Sequence, residues 1–136
     1  MSILHLLGGT FVDINETRGS CANEDDDFAA RFRGRRVVRC PVHRPLLDFL
    51  EKRGDKWGLV LRQPIYEKDR LDPVDRSKEP ALDQDLLQRF PEGYRHLAYL
   101  QSKIGYRVKM DMPGLKGPEV KALYARGRNW LSGGAV

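Results

Sequence analysis

Few residues in this 136-residue sequence have types and spacings suited to chemistry. His5 stands in an apolar stretch just before Gly8-Gly9-Thr10, and histidine is the ordinary side chain for moving a proton near neutral pH. Arg62 and Tyr66 lie an even number of residues apart, so a strand through them projects both from one face, where they could hold a carboxylate or a phenolate. The plainer alternative is a cross-strand pair on the surface. Trp57, at the start of the same stretch, suits a core as well as a binding site. His96, close to Tyr94 and Tyr99, reads as helix packing. Cys40 and His43 form a C-x-x-H pair, which is two ligands short of a zinc centre, so no metal is expected. The sequence has no P-loop, no G-x-G-x-x-G opening a helix and no G-x-S-x-G, so no cofactor is expected either.

The elements that would position these residues come from periodicity. Ile3–Ile14 reads as a strand interrupted at Gly8-Gly9. Phe49–Tyr66 reads as a hairpin turning at Gly54-Asp55-Lys56. Its return strand is expected to place Trp57, Leu59, Leu61, Gln63 and Ile65 on one face, and Gly58, Val60, Arg62 and Tyr66 on the other. Lys68–Glu79 reads as a charged surface loop. Asp83 can cap a short helix through Gln88, and helices follow within Glu92–Lys103 and Pro118–Leu131. The stripe Tyr94, Leu97, Gln101 and Ile104 gives the first of these an inner face, and Gly105 suits its C-terminal cap. In the second, Val120, Leu123, Tyr124, Trp130 and Leu131 form the apolar face. These elements make one α+β domain over 1–136, with 80–136 as a helical C-terminal extension. A hydrophobic content of 40% excludes a wholly disordered chain. No apolar run approaches the ~20 residues of a membrane helix. The start of the chain lacks the basic segment of a signal peptide. A cytoplasmic protein is expected, with no membrane association, and the two cysteines make no disulfide framework.

Gly19–Leu47 breaks the pattern. Arg31–Arg44 holds six arginines and no lysine, directly after Glu24, Asp25, Asp26 and Asp27. The segment shows neither a strand nor a helix period, and it is expected to be irregular. One explanation is a phosphate-binding patch for nucleic acid or a charged surface for a protein partner. Another is a disrupted reading frame. With suitable synonymous codons, a one-nucleotide shift turns the segment into AVAQTKMTISQRAFVDGVLCDVRCIGRF, which alternates like two strands and runs into the hairpin. Resequencing the gene separates the two: a clean read that reproduces the arginine codons rules out the frame change.

LHLLGGTFVDI at 4–14, DFLEKRGDKWGLVLRQPIYEKDRLDP at 48–73 and RFPEGYRHLAYLQSKIGY at 89–106 together resemble the SnoaL-like branch of the nuclear transport factor 2-like superfamily. The hairpin with Glu51, Arg53 and Trp57 looks like the polar turn and tryptophan of that superfamily, and the C-terminal part looks like an extension found in one bacterial subgroup. The resemblance implies a curved antiparallel sheet of the cone type with an apolar pocket at its mouth, incomplete here and followed by C-terminal helices. It implies a cofactor-free lyase or isomerase of dehydratase type, a small hydrophobic substrate of bacterial catabolism and a homo-oligomer, with nucleic acid not expected. His5 looks like the counterpart of the family's general base, with Arg62, Tyr66 and Trp57 as substrate-binding candidates. The family's partner aspartate lies on an N-terminal helix that would precede Met1. The sequence therefore leads us to expect a His5 without an orienting carboxylate, and a chain with little activity as it stands.

Overall fold

The computed structural model describes residues 2–30 and 38–135. Six strands make one curved, unclosed antiparallel sheet, followed by helices. Strands β1 (Ser2–Asn15), β2 (Arg18–Ala30), β3 (Val38–Arg53) and β4 (Lys56–Pro64) lie side by side in that order. The short strands β5 (Lys68–Asp69) and β6 (Asp72–Pro73) pair with the first part of β3. Helix α1 (Gln84–Leu87) comes next. A 3₁₀ turn (Glu92–Tyr94) then leads into α2 (Arg95–Lys103), and α3 (Pro118–Leu131) follows. Among the described residues, no helix is long and apolar enough to cross a membrane.

Much of this follows from local chemistry. Asp83 accepts the Leu86 N–H with its side chain at 3.0 Å, which is the N-cap expected of it. Pro118 opens α3 directly after Gly117, whose φ of 116° favours glycine. Gly105 ends α2 at φ 89°. The β3–β4 turn has Gly54 at φ 60°. The charged stretch after β4 is more ordered than a surface loop, because β5 and β6 use it to extend the sheet.

The irregular segment expected at Gly19–Leu47 is overturned. β2 and β3 pair without a break from Arg18↔Glu51 to Ala29↔Cys40. An alternation was present in β3 after all. Val38, Cys40 and Val42 are fully buried on one face, while Arg39 and His43 point to the other. Pro41 and Pro45 obscure that pattern in the sequence. The strand accommodates them: their carbonyls accept the N–H groups of Arg70 and Ile65 at 3.3 and 2.8 Å. Arg44, with only 12% of its side chain exposed, has a carboxylate partner in Asp25. The segment's own residues therefore build the sheet. Of the arginine cluster, Arg31, Arg33, Arg35 and Arg36 lie outside the described residues.

β3 carries a core on each face. Val38, Cys40 and Val42 pack against Tyr66, Tyr94 and the buried side of α2, Leu97, Ala98 and Leu100. Further along, Leu47 and Phe49 point the opposite way and pack against Ile65 and α3 through Val120, Leu123 and Trp130. The two expected helix faces are thus right in part: Ile104 and Tyr124 are exposed. α3 is also tied down at its C-terminal end. Arg18 lies 4.0 Å over the Trp130 ring and donates to the Trp130 and Gly134 carbonyls. A cation there also complements the helix dipole. The Trp130 indole donates to the Leu50 carbonyl at 3.1 Å.

Phe49 is fully buried, 6.3 Å from Trp130 in a stacked arrangement. Phe49→Ala is expected to destabilise the protein by about 3–5 kcal/mol. The check is the urea midpoint, and a loss below about 1 kcal/mol would mean that α3 does not depend on this contact.

Candidate functional site

The strand register places His5, Arg62 and several buried polar side chains on one face. Reading across β1 to β4, successive rows run His5–Asp27–Val42, Leu7–Asp25–Arg44, Thr10–Asn23–Leu46–Pro64 and Val12–Cys21–Asp48–Arg62. Where α2 stops covering this face, buried polar side chains take over. Asn23, Asp25 and Asp48 are all buried there.

These side chains form two clusters. In the first, Asp25 Oδ2 lies 3.4 Å from His5 Nδ1 and accepts the Arg44 Nε and Nη2 donors at 3.3 Å each. Asp25 Oδ1 is buried and has no hydrogen-bond partner among the described residues. In the second, Arg62 grips Asp48 with two parallel bonds, Nε at 2.8 Å and Nη2 at 2.7 Å. Asn23 Nδ2 donates to the same carboxylate at 3.3 Å, and Asn23 Oδ1 accepts from Thr10 Oγ1 at 2.8 Å and Cys21 Sγ at 3.3 Å. The bonds to Asp48 hold the Arg62 guanidinium above its ordinary value against the opposing effect of its partial burial, and the charges of Asp48 and then Asp25 add to this. Asp25 lies four positions along β2 from Cys21, the cross-strand neighbour of Asp48, so the two carboxylates sit on rows about 13 Å apart along the strands.

The expectation that His5 lacks an orienting carboxylate is therefore corrected. Asp25 supplies one, from the segment that seemed least able to contribute. Asp25 is also the residue that sequence reasoning missed. Its signal was period-2 spacing with Cys21 and Asn23, hidden inside an acidic run.

The expected faces of β4 are corrected as well. A bulge between Leu59 and Leu61 opposes the Phe49–Leu50 step, and it shifts Trp57 and Leu59 onto the face of Arg62. A Cβ placed on Gly19 would lie 3.5 Å from both the Leu50 Cβ and the Trp57 ring. Trp57 is 42% exposed and so is no core residue. It forms an apolar rim with Val12, Ile14 and Leu59, all exposed. Tyr66 points to the same face but is buried, with its ring 4.6 Å from Tyr94 and Arg44 lying 5.9 Å over it. It walls the His5 cluster off from the α2 core. All four candidates thus share a face, with His5 and Trp57 at opposite ends.

Other candidate residues behave differently. Asp69 is buried, accepts the Leu97 N–H at 2.7 Å and lies 2.9 Å from His96 Nδ1, so this His–Asp pair caps α2, in line with the packing role expected of His96. Cys40 is buried in the α2 core, whereas His43 points to the opposite face. Among the described residues, no three His, Cys, Asp or Glu side chains converge as a metal site would need.

No family model matches the chain. It is 39% identical over 93 residues to a PEP2-like protein of Fusarium vanettenii, covering 62% of this chain and 40% of that protein. It is 37% identical over 93 residues to Pea pathogenicity protein 2 of the same fungus, with the same coverage. A 60-residue match to an uncharacterized protein of Aspergillus terreus is 52% identical and covers 43% of this chain and 22% of that one. The chain thus spans 40% or less of the length of these curated relatives. These relatives are fungal, and their names specify no reaction.

Arg44 has only 12% of its side chain exposed, so its charge depends on Asp25. Asp25→Ala is expected to cost about 3–5 kcal/mol by removing the carboxylate that faces this largely buried guanidinium, and Arg44→Met in the same background should restore much of the loss. Urea unfolding of the single and double variants checks this. Additive losses would mean that the pair is uncoupled.

Proposed function

We propose that the chain is the sheet-and-helix part of a SnoaL-like protein of the cone type, and that it works as a cofactor-free proton-transfer catalyst, a lyase or isomerase of dehydratase type, on a small hydrophobic substrate. The observation that carries this is the His5–Asp25 contact of 3.4 Å on an accessible face, with 54% of the His5 side chain exposed. A carboxylate at Nδ1 fixes the imidazole ring and its tautomer, which makes Nε2 the nitrogen that acts as the base. Asp25 then stabilises the imidazolium that forms when His5 removes a proton from a carbon next to a carbonyl. Returning the proton at another carbon is isomerisation, and expelling a leaving group is elimination. Further along the same face, Arg62 offers fixed N–H donors, and Trp57, Val12, Ile14 and Leu59 offer apolar contact around it.

The rim is open to water on this face, and efficient general-base catalysis needs a substrate held in place and water kept out. Closing the face, by further chain or by a second copy in a homo-oligomer, is part of the proposal. The alternative role, binding of nucleic acid or a protein through Arg31–Arg44, has less support, because Arg44 is committed to Asp25 and only Arg39 of the described cluster residues is exposed.

The test is exchange of acidic C–H protons. Cyclic aryl ketones such as 1-tetralone are incubated with the protein in D2O, and deuterium uptake is followed by proton NMR. His5→Ala is expected to lower the catalysed rate by at least about a hundredfold, and Asp25→Asn by a smaller factor. Catalysed uptake that survives His5→Ala would remove His5 as the base. DNA binding that falls steeply with salt would favour the alternative.

A further inference from the structure

We infer that Asp48 sets the substrate selectivity of the open face by neutralising Arg62, so that the site accepts an uncharged oxygen, a carbonyl or hydroxyl, and rejects a carboxylate. The inference rests on the proposal that this face binds the substrate, and it goes beyond it by naming the charge state of the ligand.

Arg62 was expected to bind an anion, and an unpaired guanidinium would do so. Here its Nε and Nη2 are already taken by Asp48 in a bidentate pair. Asp48 is itself buried and held from behind by Asn23, which Thr10 and Cys21 orient in turn. The carboxylate cannot swing away to make room for a competing anion without breaking that chain of bonds. Half of the Arg62 side chain stays exposed, so its remaining Nη1 donors can still reach a ligand.

The charge balance decides what that ligand is. Arg62 is paired with Asp48 in one cluster, and Arg44 with Asp25 in the other. Each Arg–Asp pair brings one charge of either sign. An anion at Nη1 therefore meets a guanidinium whose charge is offset by the Asp48 carboxylate held directly behind it, which weakens the Coulomb attraction. A neutral carbonyl keeps its hydrogen bond to Nη1 and suffers no such loss. Burying a carboxylate and an asparagine behind the arginine adds little stability compared with apolar residues, so a role in recognition accounts better for the arrangement.

The experiment compares two probes of similar shape and different charge, acetophenone and benzoate. Binding to the full chain is followed through the Arg62 Nε–H resonance, in wild type and in Asp48→Asn, with His5→Gln added in both to remove any imidazole charge. Wild type should bind acetophenone and should bind benzoate at least about tenfold more weakly. Asp48→Asn keeps the hydrogen-bonding shape and removes the charge, so its benzoate affinity should rise by about tenfold while acetophenone affinity changes by less than about threefold. A gain of binding cannot arise from misfolding. If Asp48→Asn leaves benzoate affinity unchanged while wild type still binds acetophenone, the selectivity role is wrong and the binding face stands. If neither probe moves Arg62 in either protein, the binding face itself is wrong and the inference falls with it. Should Asp48→Asn fail to fold, Val12→Lys adds a cation at an exposed position in the same cross-strand row. It should raise benzoate affinity a few-fold, and no rise would overturn the charge argument.

Discussion

Arg44 stands in the middle of β3, and Asp25 is the reason it can. A guanidinium this far out of water costs several kcal/mol unless a carboxylate meets it. Asp25 meets it from directly across the ladder. With that charge neutralised, β2 and β3 pair through their whole shared length, and β3 can present plain apolar residues on either side of Arg44. Before it, the even-numbered residues Val38, Cys40 and Val42 receive α2. After it, the odd-numbered residues Leu47 and Phe49 receive α3. The change of face at Arg44 leaves half of each face without a helix, and the even-numbered half beyond Arg44 holds the Arg62 cluster, with the His5 cluster at its border.

What was legible in the sequence was local. Asp83, Pro118, Gly105 and Gly54 each act through a few neighbouring backbone groups, so their signals survive without tertiary information. α3 accordingly runs over Pro118–Leu131 as expected, and β1 extends the expected strand by one residue at each end. β2 and β3 were illegible because their logic is pairwise. Arg44 is a poor strand residue until Asp25 is known to face it, and the partners are nineteen residues apart in the chain. Prolines 41 and 45 look like strand breakers until their carbonyls are seen to be used. The bulge in β4 is the same kind of failure. Strict alternation assigned Trp57 to the wrong face, because a single extra residue inverts every side chain beyond it.

The candidate site was half legible for a related reason. His5, Arg62, Tyr66 and Trp57 are conspicuous side chains, and a sequence scan finds them by type alone. Asp25, Asp48 and Asn23 are ordinary residues whose importance comes only from where the register places them. Position relative to a partner turns Asp25 from one member of an acidic run into the residue that orients His5.

The two faces of β3 make different use of similar areas. On the α3 side, Phe49 and Leu47 contribute through contact area, which tolerates small shifts in position. On the open side, Asp48 and Asn23 contribute through direction. A pair with one partner half exposed adds at most about 1 kcal/mol to stability. What the bidentate grip does give is a guanidinium whose rotamer is chosen before any ligand arrives, so binding need not freeze a side chain that would otherwise cost about 0.5–1.5 kcal/mol to immobilise. Such preorganisation requires a rigid support, and rigidity is what α3 provides from behind: Leu47 and Phe49, the sequence neighbours of Asp48, are locked into the apolar core that Trp130 closes. The apolar face thus fixes the backbone from which the polar face is aimed, and the period of two along β3 lets adjacent residues do both.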